Sequence, residues 1–304
     1  MTRSWRTVAP FLVGLVLFLA LAAYNQSRGL DLWRNYALSG FFLGAPVVWT
    51  FWRFDVRVPG YIQGVIVAAL LLHYGGGSLG SADPADRMGL LGMHGVNGAY
   101  HVFGWWDNLT HAVGIGAGAM GSAYLLELYQ LRRGLAWNGA AVGAIAILAA
   151  LAAGVGVELY EYLGKTAFQT IDQGGYTNTM VDLQFNILGA VAGTLLAVTL
   201  DRTLSWRKIR ERWKAVPGQG APAGASVAGG LLPPAMAGFV AFVTVPSLVT
   251  LYLALRFLGQ DIAPQDERAL YDPALRLLLA SAVAALLAAP LGYGMARLMG
   301  GRRV

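Results

Sequence analysis

The chain has 304 residues, of which 56% are hydrophobic and only 12% are charged. Since a soluble domain usually carries about 25% charged residues, this composition excludes an ordinary soluble protein and indicates a polytopic membrane protein. The absence of cysteine excludes disulfides, thiolate metal ligands and a thiol nucleophile.

Eight apolar runs have about the length that crosses a bilayer as an α-helix, roughly 17–25 residues. They lie at about 8–24, 37–53, 58–75, 106–129, 136–162, 182–200, 234–256 and 274–298. The sequence therefore predicts an all-α integral membrane bundle of about eight transmembrane helices. The second run is short and contains Pro46, which could kink it.

The distribution of basic residues predicts the orientation of the helices. If the N-terminus lies in the cytoplasm, most of the 22 Lys and Arg residues fall in cytoplasmic segments, as the positive-inside rule requires. We therefore expect a multi-pass protein of the inner (cell) membrane with both termini in the cytoplasm. The formal net charge of +6 then reflects topology, and no nucleic-acid partner is expected. The first 24 residues also fit a signal peptide, but their long apolar run favours a retained anchor.

Composition divides the chain into three parts. Residues 1–204 are predicted to form a six-helix membrane core, and residues 233–304 a two-helix hairpin. Between them, residues 205–232 begin with the basic stretch WRKIRERWK and continue as a Pro, Gly and Ala-rich linker. The basic stretch is typical of segments that lie on anionic head groups, which makes membrane lipid an expected partner.

Three of the predicted helices carry polar side chains at the same end. These are Asp107 and His111 in WWDNLTH, Glu158 and Glu161 in VELYEYLG, and Asp182 and Asn186 in TNTMVDLQFN. Spacings of three or four residues place each pair on one helix face. The predicted topology puts all three pairs in the outer leaflet. Ionisable groups within a membrane are costly, so they indicate a functional site.

Three interpretations fit this polar set. Oxygen and imidazole ligands without sulfur suit a divalent metal, namely Zn, Mn, Mg or non-haem Fe. Crowded carboxylates could instead share protons and serve proton transfer or substrate binding without a metal. The set could also be a hydrogen-bonded polar knot that only fixes helix packing. His94 and His101, in the Gly-rich segment 76–105, could complete a metal shell.

The spacing in two of these helices suggests an internal repeat. Asp107 and His111 are followed by small residues at the same intervals as Asp182 and Asn186. Both helices run in the same direction in the predicted topology. Parallel repeats of this kind occur in some transporters, so the pattern supports a transport interpretation.

The motifs WWDNLTH, VELYEYLG and TNTMVDLQFNILGAVAG together resemble the YjdF-like inner-membrane proteins of bacteria and archaea, over about residues 100–200. A looser similarity connects them with VanZ-like membrane proteins. The YjdF-like resemblance supports the six polar residues as a site but implies no reaction. The VanZ-like one suggests cell-envelope or lipid-linked chemistry. The sequence departs from the YjdF-like pattern at 176–179, where an acidic residue is usual, and in the hairpin 233–299.

The leading hypothesis is metal-assisted processing or binding of a lipid-linked or cell-envelope substrate. The predicted metal ligands are Asp107, His111, Glu158 and Asp182. If the site is catalytic, Glu161 is the general base and His111 a second catalytic group. Asn186 and Tyr162 are predicted to bind the substrate. The alternatives are a proton- or ion-coupled transporter of small solutes, and a membrane scaffold with a structural polar knot. The sequence alone does not decide whether the protein is an enzyme.

Overall fold

The computed structural model describes residues 5–54, 56–80, 98–133, 139–168, 175–203, 234–258, 260, 262–263 and 266–300. Within these ranges all regular secondary structure is helical, which confirms the all-α prediction. A 3₁₀ helix, Trp5–Val8, precedes α1 (Ala9–Ser27), α2 (Asp31–Arg53), α3 (Gly60–Ser78), the short α4 (Ala99–Val102), α5 (Trp106–Arg133), α6 (Gly139–Phe168), α7 (Tyr176–Thr203), α8 (Pro234–Phe257) and α9 (Glu267–Gly300).

The eight long helices of the described ranges coincide with the eight apolar runs of the sequence. Six of them, α1 and α5 to α9, are long and apolar enough to cross a membrane. Helix α2 runs through Pro46 without a break and exposes Phe42, Leu43 and Trp49. Apolar side chains of this size on an outer face suit contact with lipid rather than water. The fold is therefore that of a multi-pass helical membrane protein.

The chain divides into two compact units, Met1–Ala117 and Gly118–Val304, and the boundary falls inside α5. In the first unit, α1, α2 and α3 pack against one another. Asn25 of α1 donates a hydrogen bond to Ser78 Oγ of α3 over 2.9 Å. Such bonds satisfy polar groups that would otherwise be buried at a free-energy cost.

Within the first unit, the N-terminal segment packs against α2 and α3. Gln63 of α3 donates hydrogen bonds of 2.7 Å to the carbonyl oxygens of Thr7 and Val58. The rings of Trp5 and Trp52 stack almost parallel, with centroids 4.2 Å apart. The 3₁₀ helix is thereby attached to both α2 and α3.

In the second unit, α8 and α9 form an antiparallel hairpin that packs against α6 and α7. Gly238 lies against the carbonyl of Ala289, and Gly292 against that of Ala237, so the two backbones approach closely. Small residues at these positions permit this approach, as is usual between membrane helices. Ser247 of α8 also donates a hydrogen bond of 2.7 Å to the carbonyl oxygen of Leu148 in α6.

An apolar core is shared by α6, α7, α8 and α9. Its buried members are Val155, Tyr176, Met180, Leu183, Leu253, Ala254, Ala274 and Leu278. The predicted linker 205–232 lies outside the described residues, so the division into a six-helix core and a separate hairpin stays a prediction. Within the second unit, however, the hairpin shares one core with α6 and α7.

Candidate functional site

In the first unit, Asp107 and His111 lie one turn apart near the start of α5. His111 Nε2 is 3.7 Å from Asp107 Oδ1, and the two side chains are 4% and 25% exposed, respectively. The histidine is thus buried beside a carboxylate that retains access to the surface. The spacing of four residues in the sequence predicts this proximity, because such residues share a helix face.

An aromatic cluster lies next to the start of α5, and no pattern in the sequence predicts it. Tyr100 of α4 places its hydroxyl 2.6 Å from His73 Nδ1, and its ring stacks on Trp33 of α2. The same hydroxyl lies 3.4 Å from Thr110 Oγ1. His73 is close enough to His111 for an electrostatic interaction. The end of α3 therefore supplies a second imidazole near the Asp107 and His111 pair.

Two further histidines were predicted from the sequence to complete a metal shell. His94 lies outside the described residues, and so does the side chain of His101. Their contribution to a metal shell stays a prediction.

In the second unit, α6 and α7 bury the remaining polar side chains. Glu158, Asp182 and Asn186 have no solvent-exposed surface, and Glu161 is 8% exposed. Helices α6 and α7 approach closely at this level, because a Cβ atom added to Gly154 would lie 2.8 Å from Asn186 Nδ2. The glycine below Glu158 and the amide of α7 are thus in direct contact.

Asn178 is a polar neighbour that the sequence did not identify as a site residue. Its Nδ2 donates a hydrogen bond of 2.5 Å to Asp182 Oδ2, one turn along α7. Buried carboxylates are costly unless they are hydrogen-bonded, so this amide offsets part of the cost of burying Asp182. It lies in the stretch 176–179, where an acidic residue is usual in YjdF-like proteins.

The C-terminal part of α6 lies near a tyrosine of the C-terminal hairpin. Tyr271 of α9 is close enough to Glu158, Glu161 and Tyr162 for electrostatic interaction. Tyr162 itself, predicted to bind substrate, is partly buried. Tyr271 is 110 residues from Glu161 along the chain, and no periodic pattern connects them. Only the packing of the hairpin reveals this neighbour.

The side chains brought together within each unit determine which chemistry that unit could support. The first unit offers a carboxylate beside an imidazole, and the second offers three buried carboxylates with two amides and two phenols nearby. These groups can bind a cation or exchange protons. That the two sets form one site is a prediction from the topology.

Comparison with known proteins finds a match to one family over part of the chain. Residues 87–203 match the family described as "Predicted membrane protein (DUF2238)". This match includes all six polar residues of the predicted site, and it confirms the resemblance to YjdF-like membrane proteins over that part of the chain. The similarity to VanZ-like proteins stays a prediction. No curated protein and no solved structure matches the chain.

Proposed function

We propose that this protein holds a divalent metal in its membrane region and acts there on an amphiphilic, lipid-linked substrate. Metal-assisted hydrolysis or transfer is the reaction class that fits best. The proposed location is the inner membrane, with both termini in the cytoplasm. The observation that carries the proposal is the complete burial of Glu158, Asp182 and Asn186 in helices apolar enough to cross a bilayer. Groups of this kind mark functional sites in membrane proteins by default.

The residues present fit a metal of the oxygen and nitrogen-binding kind. The topology predicted from the sequence would bring Asp107 and His111 of the first unit to Asp182 of the second, and each would offer one ligand atom of a kind that divalent metals accept. Glu158 is the proposed fourth ligand. The Asn178 amide would keep the Asp182 carboxylate oriented, as hydrogen-bonded partners of ligating carboxylates do.

When bound, the metal would polarise the substrate or a water molecule. Glu161 would accept the proton released from that water and pass it to the leaving group, and His111 would contribute to the reaction by holding the metal. The partial exposure of Asp107 would leave a route for a polar head group. Tyr162 and Asn186 would orient the substrate.

Metal analysis tests this proposal first. Plasma mass spectrometry of the protein, purified in detergent without chelators, should find near-stoichiometric Zn, Mn, Mg or Fe. The Asp182→Asn variant should lose this metal while remaining folded. Asp272→Asn is the matched control, because Asp272 is exposed on α9 and lies outside the proposed ligand set.

A folded wild type without metal would contradict the proposal. The polar-knot interpretation would then lead, and the hydrogen bond between Asn178 and Asp182 is the observation that favours it. A solute flux driven by a proton gradient in proteoliposomes would instead favour the transporter. Full processing of a lipid-linked substrate by Glu161→Ala would exclude Glu161 as the general base.

A further inference from the structure

Tyr271 stands out among the residues of the C-terminal hairpin. Its ring packs against the apolar core shared by α6, α7, α8 and α9. The ammonium of Lys165, one turn beyond Glu161 on α6, lies 5.7 Å from the centre of the same ring. These two contacts hold Tyr271 along the C-terminal part of α6, which also carries Glu158 and Glu161.

The Tyr271 hydroxyl is buried, and no residue in the described part of the chain forms a hydrogen bond with it. Burying a hydroxyl without a partner costs free energy, so such a group in a native protein calls for an explanation. Its electrostatic neighbours are Glu158, Glu161 and Tyr162, which are residues of the proposed site, and the exposed Asp272 of α9. Since the ring lies against Lys165, one turn from Glu161 on α6, a ligand at the acidic pair would lie near this phenol.

We infer that Tyr271 is a substrate-binding residue, and that with Lys165 it selects a substrate with an anionic phosphate head group. This inference rests on the proposed function and deepens it. A phenol and an ammonium are both hydrogen-bond donors, and both suit a phosphate oxygen. The carboxylates on the other side would bind the metal, which a phosphate oxygen can also ligate. An oxyanion between them satisfies the phenol, the ammonium and the metal together.

The C-terminal hairpin would then complete the site instead of merely anchoring the chain. The family match ends at residue 203, whereas Tyr271 lies in α9. The acidic residues would thus come from the matched region, and one determinant of substrate choice from the hairpin.

Binding of dodecyl phosphate tests this inference. Isothermal titration would compare the full-length wild type with Tyr271→Phe in a non-ionic detergent, each with and without Mn²⁺. Loss of one hydrogen bond to a charged group should weaken binding by about tenfold or more. Tyr293→Phe is the matched control, because Tyr293 is on the same helix and is 45% exposed. It should bind as the wild type does.

Lys165→Gln tests the charge, with Arg276→Gln as its control, since Arg276 is exposed on α9. The first variant should bind dodecyl phosphate several-fold more weakly, and the second should not change. Unfolding curves for every variant would establish that weaker binding does not arise from loss of structure.

Each outcome decides a defined part of the inference. Unchanged binding by Tyr271→Phe would overturn the role of Tyr271, and unchanged binding by Lys165→Gln would overturn the role of the ammonium. No binding by the wild type would overturn the choice of a phosphate. If Tyr271→Phe weakens binding but Mn²⁺ has no effect on it, the result would contradict the proposed metal and would support Tyr271 as a substrate-binding residue.

Discussion

Asp182 lies completely buried in α7 and accepts a hydrogen bond from Asn178 one turn away. The two positions are four residues apart, so they occupy one face of the helix. In water the carboxylate would be solvated, but here part of that solvation is replaced by an amide from the same helix. Asn178 therefore acts on the stability of the protein and on the orientation of a proposed ligand.

Replacing Asn178 tests its contribution. We expect Asn178→Ala to lower the free energy of unfolding by about 1–3 kcal/mol, because a buried acidic group loses a donor. Chemical unfolding in detergent micelles would measure the change. Asn35→Ala is the control, because Asn35 is exposed and its side chain accepts hydrogen bonds from the neighbouring Arg34. A surface substitution of this kind should change stability by at most about 0.5 kcal/mol. Equal effects of the two variants would contradict the role of Asn178.

The sequence predicts site residues where one helix supplies both partners. The pairs Asp107 with His111 and Glu158 with Glu161 follow from spacing alone, because helical geometry fixes which side chains are neighbours. The contact of Tyr100 with His73 and the approach of Tyr271 to Glu161 could not be predicted in this way. They join different helices, and their positions depend on packing that leaves no periodic trace in the sequence.

At the scale of the element, the contact between α6 and α7 depends on one glycine. A methyl group on Gly154 would lie 2.8 Å from Asn186 Nδ2, closer than real Cβ contacts occur. Asn186 is completely buried, so it has little room to move aside. The two helices can therefore lie this close because Gly154 has no side chain.

Two substitutions on α6 distinguish this contact from the general effect of glycine in a helix. Gly154→Ala should destabilise the protein by about 1–3 kcal/mol, as overpacking of a tight contact does. Gly156 lies two residues further on, is exposed and has open space around its added Cβ. Gly156→Ala should be neutral or should stabilise by up to about 1 kcal/mol, because alanine is the better helix former. Unfolding in micelles would measure both variants, and a stabilising Gly154→Ala would contradict the account.

The N-terminus of α7 is held by the C-terminal hairpin. Thr177 donates its backbone N–H to Glu267 Oε1 over 2.9 Å, just after Gly175 turns the chain with φ +97°. A carboxylate at this end of a helix satisfies an unpaired donor and complements the helix dipole.

We expect Glu267→Gln to cost about 0.5–1 kcal/mol in the free energy of unfolding, since the charge at the helix end is lost. Asp266→Asn removes a charge from the neighbouring exposed residue and serves as the control. Unfolding curves at low and at high salt provide the measurement. A difference between wild type and Glu267→Gln that does not shrink at high salt would argue against an electrostatic contribution.

At the scale of the whole molecule, the helical class and the positions of the long helices follow from composition and hydropathy. A bilayer requires about 20 apolar residues in each spanning helix, so the spans are visible as runs. The packing of the C-terminal hairpin was harder to predict from the sequence. The predicted boundary after residue 204 stays a prediction, and the sequence does not indicate that the hairpin shares one apolar core with α6 and α7. The composition of residues 205–232 predicts a linker, but it does not predict which helices pack together on either side of it.

The predicted orientation can be tested with single cysteines, because the chain has none of its own. We expect Thr2→Cys and Arg302→Cys to be protected from a membrane-impermeant maleimide in intact cells. Lys165→Cys and Arg268→Cys should be labelled, since the positive-inside rule places them outside. Permeabilised cells provide the control for reactivity. Labelling of the two terminal positions in intact cells would reverse the topology.

The stacked rings of Trp5 and Trp52 offer a spectroscopic way to monitor the N-terminal segment. Two indoles that lie nearly parallel at 4.2 Å couple their electronic transitions, which should produce a distinctive signal in near-ultraviolet circular dichroism. Because one ring belongs to the first few residues and the other to the end of α2, the signal reports whether the N-terminal segment is present and seated. The chain thus carries an intrinsic optical probe of whether this segment is in place, readable without any label.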